Sequence, residues 1–223
     1  MLCGLHYRKV PTAYHPDFGQ VVNYEFEAMP DNADAQVEQT VKKLIGFILE
    51  DVHAPVIRQD AAAHTHDPIN GIWNFVKPRI RFKQDVDIAE DLETSDPRKH
   101  NIVETIIRPA DQAILIRSQG RGVEDCDGFT GYTACLLTAL GIPVSFATVQ
   151  ADPDSPDYSH IYVVAYYKGQ RIPLDTSHGE YPGWECPHGR IREWPVTRGT
   201  IMSSIVPVLI VAGLAAFALR RAA

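Results

Sequence analysis

Residues 124–149 read "EDCDGFTGYTACLLTALGIPVSFATV". Phe129, Tyr132, Leu136, Leu137 and Leu140 recur at helical spacing, Gly141 suits a helix end, and Pro143 prevents continuation, so the spacing predicts a helix over about 127–140. The apolar run "IPVSFATVQ" then reads as a strand. This puts Cys126 in the first turn of a helix, where unpaired N–H groups and the helix dipole favour a thiolate. Its neighbours Glu124, Asp125 and Asp127 work the other way. Successive side chains point in different directions, so Asp125 and Asp127 need not face the sulfur, and Asp127 is expected to help cap the helix.

Downstream, "SHIYVVAYY" (159–167) and "RIPLD" (171–175) read as two more strands joined by "KGQ", a link short enough only for a hairpin. Upstream, "VVNYEFEA" (21–28) looks like a strand. "DNADAQVEQTVKKLIGFILEDVH" (31–53) is an amphipathic helix with Val37, Val41, Leu44, Ile45, Ile48 and Val52 on one face, capped by Asp31 or Asn32. "DPINGIWNFVKPRIRF" (67–82) is a second helix ending near Pro78, followed by a short extended piece. The polar stretch 83–101 reads as a surface loop, and the chain after Asp175 as an irregular wrapping tail. Helices and strands segregate instead of alternating, so the fold class is α+β: a central helix packed on an antiparallel sheet.

A nucleophilic thiol needs a base, and a base needs an orienting group. His160 sits within the apolar strand "YSHIYVV", and Asp175 ends the neighbouring hairpin strand. Either alone has an ordinary structural reading, as a core histidine and a turn residue. Cysteine at a helix start, histidine on a strand and aspartate on its hairpin partner form a much more specific set.

Composition bounds the rest. The chain has 223 residues with 45% hydrophobic and 22% charged content, enough for one well-packed domain with additions. A net charge of −7 argues against nucleic acid as a partner. The four cysteines, Cys3, Cys126, Cys135 and Cys186, show no paired spacing, and the start "MLCGLHYRKV" is not a secretory signal, so the soluble part is expected to be made in the cytoplasm with free thiols. Residues 201–219 carry no charge and are apolar all round. At helical rise they span about 28 Å, as a membrane-spanning or membrane-seeking helix would. Cys186 and His188 with His178 make at most half a zinc set, so no metal or other cofactor is expected. "HTH" at 64–66 reads as a loop. The expected organisation is an N-terminal strand or arm over 1–30, a catalytic domain over 31–198, and the apolar helix over 201–219.

The stretches "EDCDGFTGYTACLLTALGIPVSFATV" and "YSHIYVVAYYKGQRIPLDTS" resemble the core of the transglutaminase-like superfamily, a papain-like thiol fold. "IWNFVKPRIRF" and "ETIIRPADQAI" resemble the segments before that core, so the likeness covers about residues 40–190. It implies a Cys126–His160–Asp175 triad. "PGWECP" is similar to a tail seen in versions of the domain encoded by phages and prophages. Two positions depart from the family pattern: Glu124 stands in place of the usual glycine, and Gly128 in place of a second aspartate. The oxyanion donors that the resemblance implies are the Cys126 backbone N–H and a second group. Gln119 in the 117–123 segment and Trp73 are candidates for it, Trp73 having an alternative role in the core.

The expected function is a thiol-dependent amide hydrolase acting on a peptide or protein substrate. Alternatives are a transamidating crosslinker and a non-enzymatic structural module of a virion with a relic triad. The expected setting is a phage virion or a membrane, with other virion proteins as partners.

Overall fold

The computed structural model describes residues 32–88 and 105–202. It also describes four short strands before them: β1 (Arg8–Lys9), β2 (Ala13–Tyr14), β3 (Val21–Val22) and β4 (Tyr24–Phe26). The apolar C-terminal helix expected at 201–219 lies, beyond its first residues, outside the described residues. Among the described residues no helix is long and apolar enough to cross a membrane.

Helix α1 (Ala33–Asp51) starts where the Asn32 side chain accepts the Ala35 N–H at 3.0 Å. It buries Val41, Leu44, Ile45 and Ile48, the stripe its periodicity dictates. Helices α2 (Pro55–Ala62), α3 (Pro68–Val76) and α4 (Pro109–Gln119) each open with proline, whose missing N–H costs nothing at that position. Helix α4 carries no apolar stripe in sequence. The positions it buries include the polar Gln112, which explains why periodicity does not announce it.

Helix α5 (Cys126–Ala139) is the centre of the molecule. Every residue from Asp127 to Leu137 is buried, so the single apolar face expected from sequence is a helix enclosed on all sides. Three of its polar residues bond inward. Thr130 Oγ1 donates to the Ile161 carbonyl at 3.1 Å, Thr133 and Thr176 hydroxyls meet at 2.9 Å, and the Tyr132 hydroxyl donates to Asp60 at 2.8 Å.

Against α5 lies a four-stranded antiparallel sheet: β8 (Val144–Val149), β9 (His160–Tyr167), β10 (Gln170–Leu174) and β11 (Ile191–Pro195) in the order β10-β9-β8-β11. The β9–β10 link is a two-residue turn, Lys168 and Gly169, both at positive φ (51° and 76°), as a tight hairpin with right-handed twist demands. Strand β11 corrects the expectation of an irregular tail. Pro187, Gly189 and Pro195 disguise a five-residue edge strand that buries Trp194, whose indole N–H donates to Thr148 at 3.0 Å. Ile161, Val163 and Ala165 join the main core beneath the sheet, and Tyr162 and Val164 form a smaller cluster with Ala147 and Val149.

Two further pairings lead into the start of α5. Strand β5 (Ile80–Phe82) runs parallel to β7 (Gly122–Glu124), and β6 (Thr105–Ile107) pairs with β4. The architecture is thus mixed α+β, with helices packed on an antiparallel sheet.

Candidate active site

Cys126 is the first residue of α5, and the cap is Asp125 rather than Asp127: Asp125 Oδ1 accepts the Asp127 N–H at 2.9 Å. The turn before the cysteine is held by Glu124, whose side chain is fully buried. Its two oxygens accept the Ile107 N–H at 2.6 Å and the Asp125 N–H at 3.1 Å. The side chain packs over Gly128, where an added Cβ would fall 1.9 Å from Glu124 Cγ. Glu124 and Gly128 are therefore one feature: the glutamate fits because position 128 has no side chain.

His160 is the first residue of β9, not a mid-strand position as expected. Asp175 follows the last residue of β10. His160 Nε2 and Asp175 Oδ2 are 2.8 Å apart, with the aspartate side chain fully buried. The other aspartate oxygen, Oδ1, accepts three hydrogen bonds from its own turn: the Ser177 N–H (3.1 Å), the Ser177 hydroxyl (2.8 Å) and the His178 N–H (2.9 Å). Burial by itself would raise the Asp175 carboxyl. The His160 hydrogen bond and charge, with the His178 N–H and Ser177 hydroxyl, outweigh it and hold the carboxyl down at about 2. The aspartate is thus an ionised, immobile acceptor for the imidazole.

Cys126 and His160 line one cavity of about 220 Å³, with Asp125, Ser159 and, from α1, Thr40 and Val41. Burial pushes the Asp125 carboxyl up, against its hydrogen bonds with Asp127 and the nearby His160 and His178. Cys135 is fully buried one face away, and burial raises its thiol far above the usual range.

The remaining candidates are placed as follows. Asp127 is buried at the start of α5 and lines the same cavity. Gln119 ends α4 exposed to solvent and is not among the residues lining the cavity. Trp73 packs against the core with Lys77 over its ring at 5.4 Å, and its indole N–H has no hydrogen-bond partner among the described residues. His188 turns back on the Cys186 carbonyl at 2.7 Å, so these two residues do not complete a set with His178. Instead His178 stands against His160, ring centroids 5.0 Å apart and nearly perpendicular, with the Phe82 ring also near it at 4.8 Å. Sequence reasoning missed this residue as part of the site. Its signal was only that it lies three residues past the aspartate in "DTSH".

No protein-family model matches the chain, and no curated protein matches it in sequence. Two solved structures are similar to it. One is a protein from Cytophaga hutchinsonii provisionally named a cysteine protease, with TM-score 0.38 and 14% identity over 71% of this chain and 50% of that one. The other is from Parabacteroides distasonis and provisionally named a protease, with TM-score 0.40 and 14% identity over 80% of this chain and 39% of that one. The chain spans half or less of the length of those proteins.

Proposed function

We propose that the protein is a thiol-dependent amide hydrolase acting on a peptide or protein. The observation that carries this reading is the shared cavity: the cysteine that opens α5 and a histidine hydrogen-bonded to a buried aspartate both line it. With His160 Nε2 tied to Asp175, Nδ1 is the nitrogen left to act as base. It takes the Cys126 proton as sulfur adds to the amide carbonyl. The imidazolium returns that proton to the departing amine, leaving a thioester on Cys126. Water, deprotonated by the same nitrogen, then releases the acid and restores the thiol. The Cys126 backbone N–H, in the first turn of α5, is the natural donor to the oxyanion. Gln119 is too exposed to be the second donor.

The resemblance to the transglutaminase-like superfamily supports the same reading. The uncharged, all-round apolar run at 201–219 supports a membrane-seeking helix there, following an N-terminal arm and a catalytic domain over 31–198. The phage-type tail "PGWECP" supports a virion or membrane setting for it. An amine in place of water would make the same thioester a crosslink. Water is the simpler acceptor for an open cavity.

The test is timed alkylation with iodoacetamide, read by peptide mass spectrometry. Cys126 should react at least about 100-fold faster than Cys135 in the folded protein, and His160→Ala should remove that advantage. Equal rates at the two thiols would mean the site is a relic in a structural module.

A further inference from the structure

The site holds one more imidazole than thiol chemistry needs. We propose that His160, Asp175 and His178 form a binding site for a zinc-class divalent transition-metal ion. One nitrogen of each ring and one oxygen of Asp175 lie within 4.8 Å of one another. Two imidazoles and a carboxylate are the ligand set that such an ion takes with a fourth position left to water.

The hydrogen bonds around His178 fix which nitrogen is offered. The Ser177 hydroxyl gives its one proton to Asp175 Oδ1 at 2.8 Å, and the hydroxyl's own Oγ lies 3.1 Å from His178 Nδ1. With that proton committed, the hydroxyl can only accept from the ring. Nδ1 therefore carries hydrogen and Nε2 presents a bare lone pair. This is the arrangement metal-bound histidines show, with the second nitrogen donating to a fixed partner. The ring is also oriented by its surroundings. Its backbone N–H is bonded to Asp175 Oδ1, and it is flanked by Phe82 and His160.

Asp175 is equally prepared. Three donors occupy Oδ1, so Oδ2 is the oxygen left for an ion. An ion between Oδ2 and His160 Nε2 replaces the hydrogen of that 2.8 Å bond. In the neutral ring the proton moves to Nδ1; from the imidazolium it leaves as H⁺. Ligand atoms around a tetrahedral ion with bonds of about 2.0–2.1 Å sit about 3.3 Å apart, so His160 Nε2 and Asp175 Oδ2 must open from 2.8 Å by about half an ångström while His178 draws in. The exposed His178 side chain can supply that movement. Bound there, the ion denies His160 its role as base. That consequence rests on the thiol reading above, but the binding itself does not.

Calorimetric titration of the full chain with zinc chloride decides it. One ion per chain should bind to the wild type, to His188→Ala and to Cys126→Ala. Binding should weaken by more than about tenfold in His178→Phe, which keeps the ring packing, and in His178→Gln, a second variant in case the first misfolds. No binding to the wild type, equal binding to the His178 variants, or loss in Cys126→Ala with retention in His178→Phe would each overturn the proposal. Failure of the thiol reading shows separately, as Cys126 alkylating no faster than Cys135 in metal-free protein.

Discussion

The turn at 124–128 carries Cys126 and is braced from outside: the Glu124 side chain reaches across to the Ile107 N–H of β6. The turn at 175–179 carries Asp175 and is braced from within, by three donors of the turn converging on its own carboxylate. Both also depend on a glycine that another group overlies. At Gly128 the intruder is the Glu124 side chain; at Gly179 it is the Asp175 carbonyl, 2.4 Å from where a Cβ would sit, whose oxygen accepts the Gly179 N–H at 2.9 Å. A brace made by a side chain can yield to a second substitution. A brace made by the backbone cannot.

The largest expected effect follows from that contrast. Gly179→Ala should cost about 3 kcal/mol in urea unfolding, because backbone must move and the hydrogen bond it makes is lost. Gly128→Ala should cost about 2 kcal/mol, an overpacking penalty that outweighs the gain alanine normally brings inside a helix. Glu124→Ala should also destabilise, since two N–H groups lose their acceptor. In the Glu124→Ala background, however, Gly128→Ala should become nearly neutral. A double-mutant cycle reads this as a coupling of about 2 kcal/mol. Additive losses would show that the two residues are not one device.

The next effect distinguishes the turns by pH. The Asp175 carboxyl titrates at about 2 in the folded protein, below its ordinary value near 3.8. Because the folded value is depressed, its contribution is fully present above the unfolded value and is lost as pH falls through the folded one. It amounts to about 2 kcal/mol. Unfolding free energy should therefore drop between about pH 4 and pH 2. Asp175→Asn should flatten that part of the curve, while slowing Cys126 alkylation at neutral pH because an amide N–H would face the His160 N–H. An unchanged acid limb would show that the turn does not depend on the charge.

The sequence made the members of the candidate site legible and their supports obscure. Cys126, His160 and Asp175 could be placed because helical period, an apolar strand and a short hairpin link are local signals. That His160 opens β9, beside the cavity that the first residue of α5 also lines, is a matter of strand ends, which pattern alone does not fix. Asp125 and Glu124 looked like acids that would oppose a thiolate. In the fold Asp125 caps the helix by a local bond to the Asp127 N–H, and Glu124 is a buried strap, a role that depends on β6 passing nearby. His178 looked like part of a sparse zinc set because Cys186 and His188 were near in sequence. Its real neighbours, His160 and Phe82, lie 18 and 96 residues away along the chain.

The smallest expected effect probes a tether from outside on the second turn. Lys77, at the end of α3, donates from Nζ to the Ser177 carbonyl at 3.3 Å, and its ammonium also lies over the Trp73 ring. If the turn is braced from within, this bond is dispensable. Three donors on Asp175 Oδ1 already fix the turn, and the Thr133–Thr176 contact ties it to α5. Lys77→Met keeps most of the aliphatic stem against the ring and removes only the charge. It should cost no more than about 0.5 kcal/mol, within the range of a part-exposed polar contact. Cys126 alkylation should be unchanged within about twofold, since His160 keeps its partner. A loss above about 2 kcal/mol, or a slowed thiol, would show that the 175–179 turn also needs an outside brace, and the contrast with 124–128 would fall.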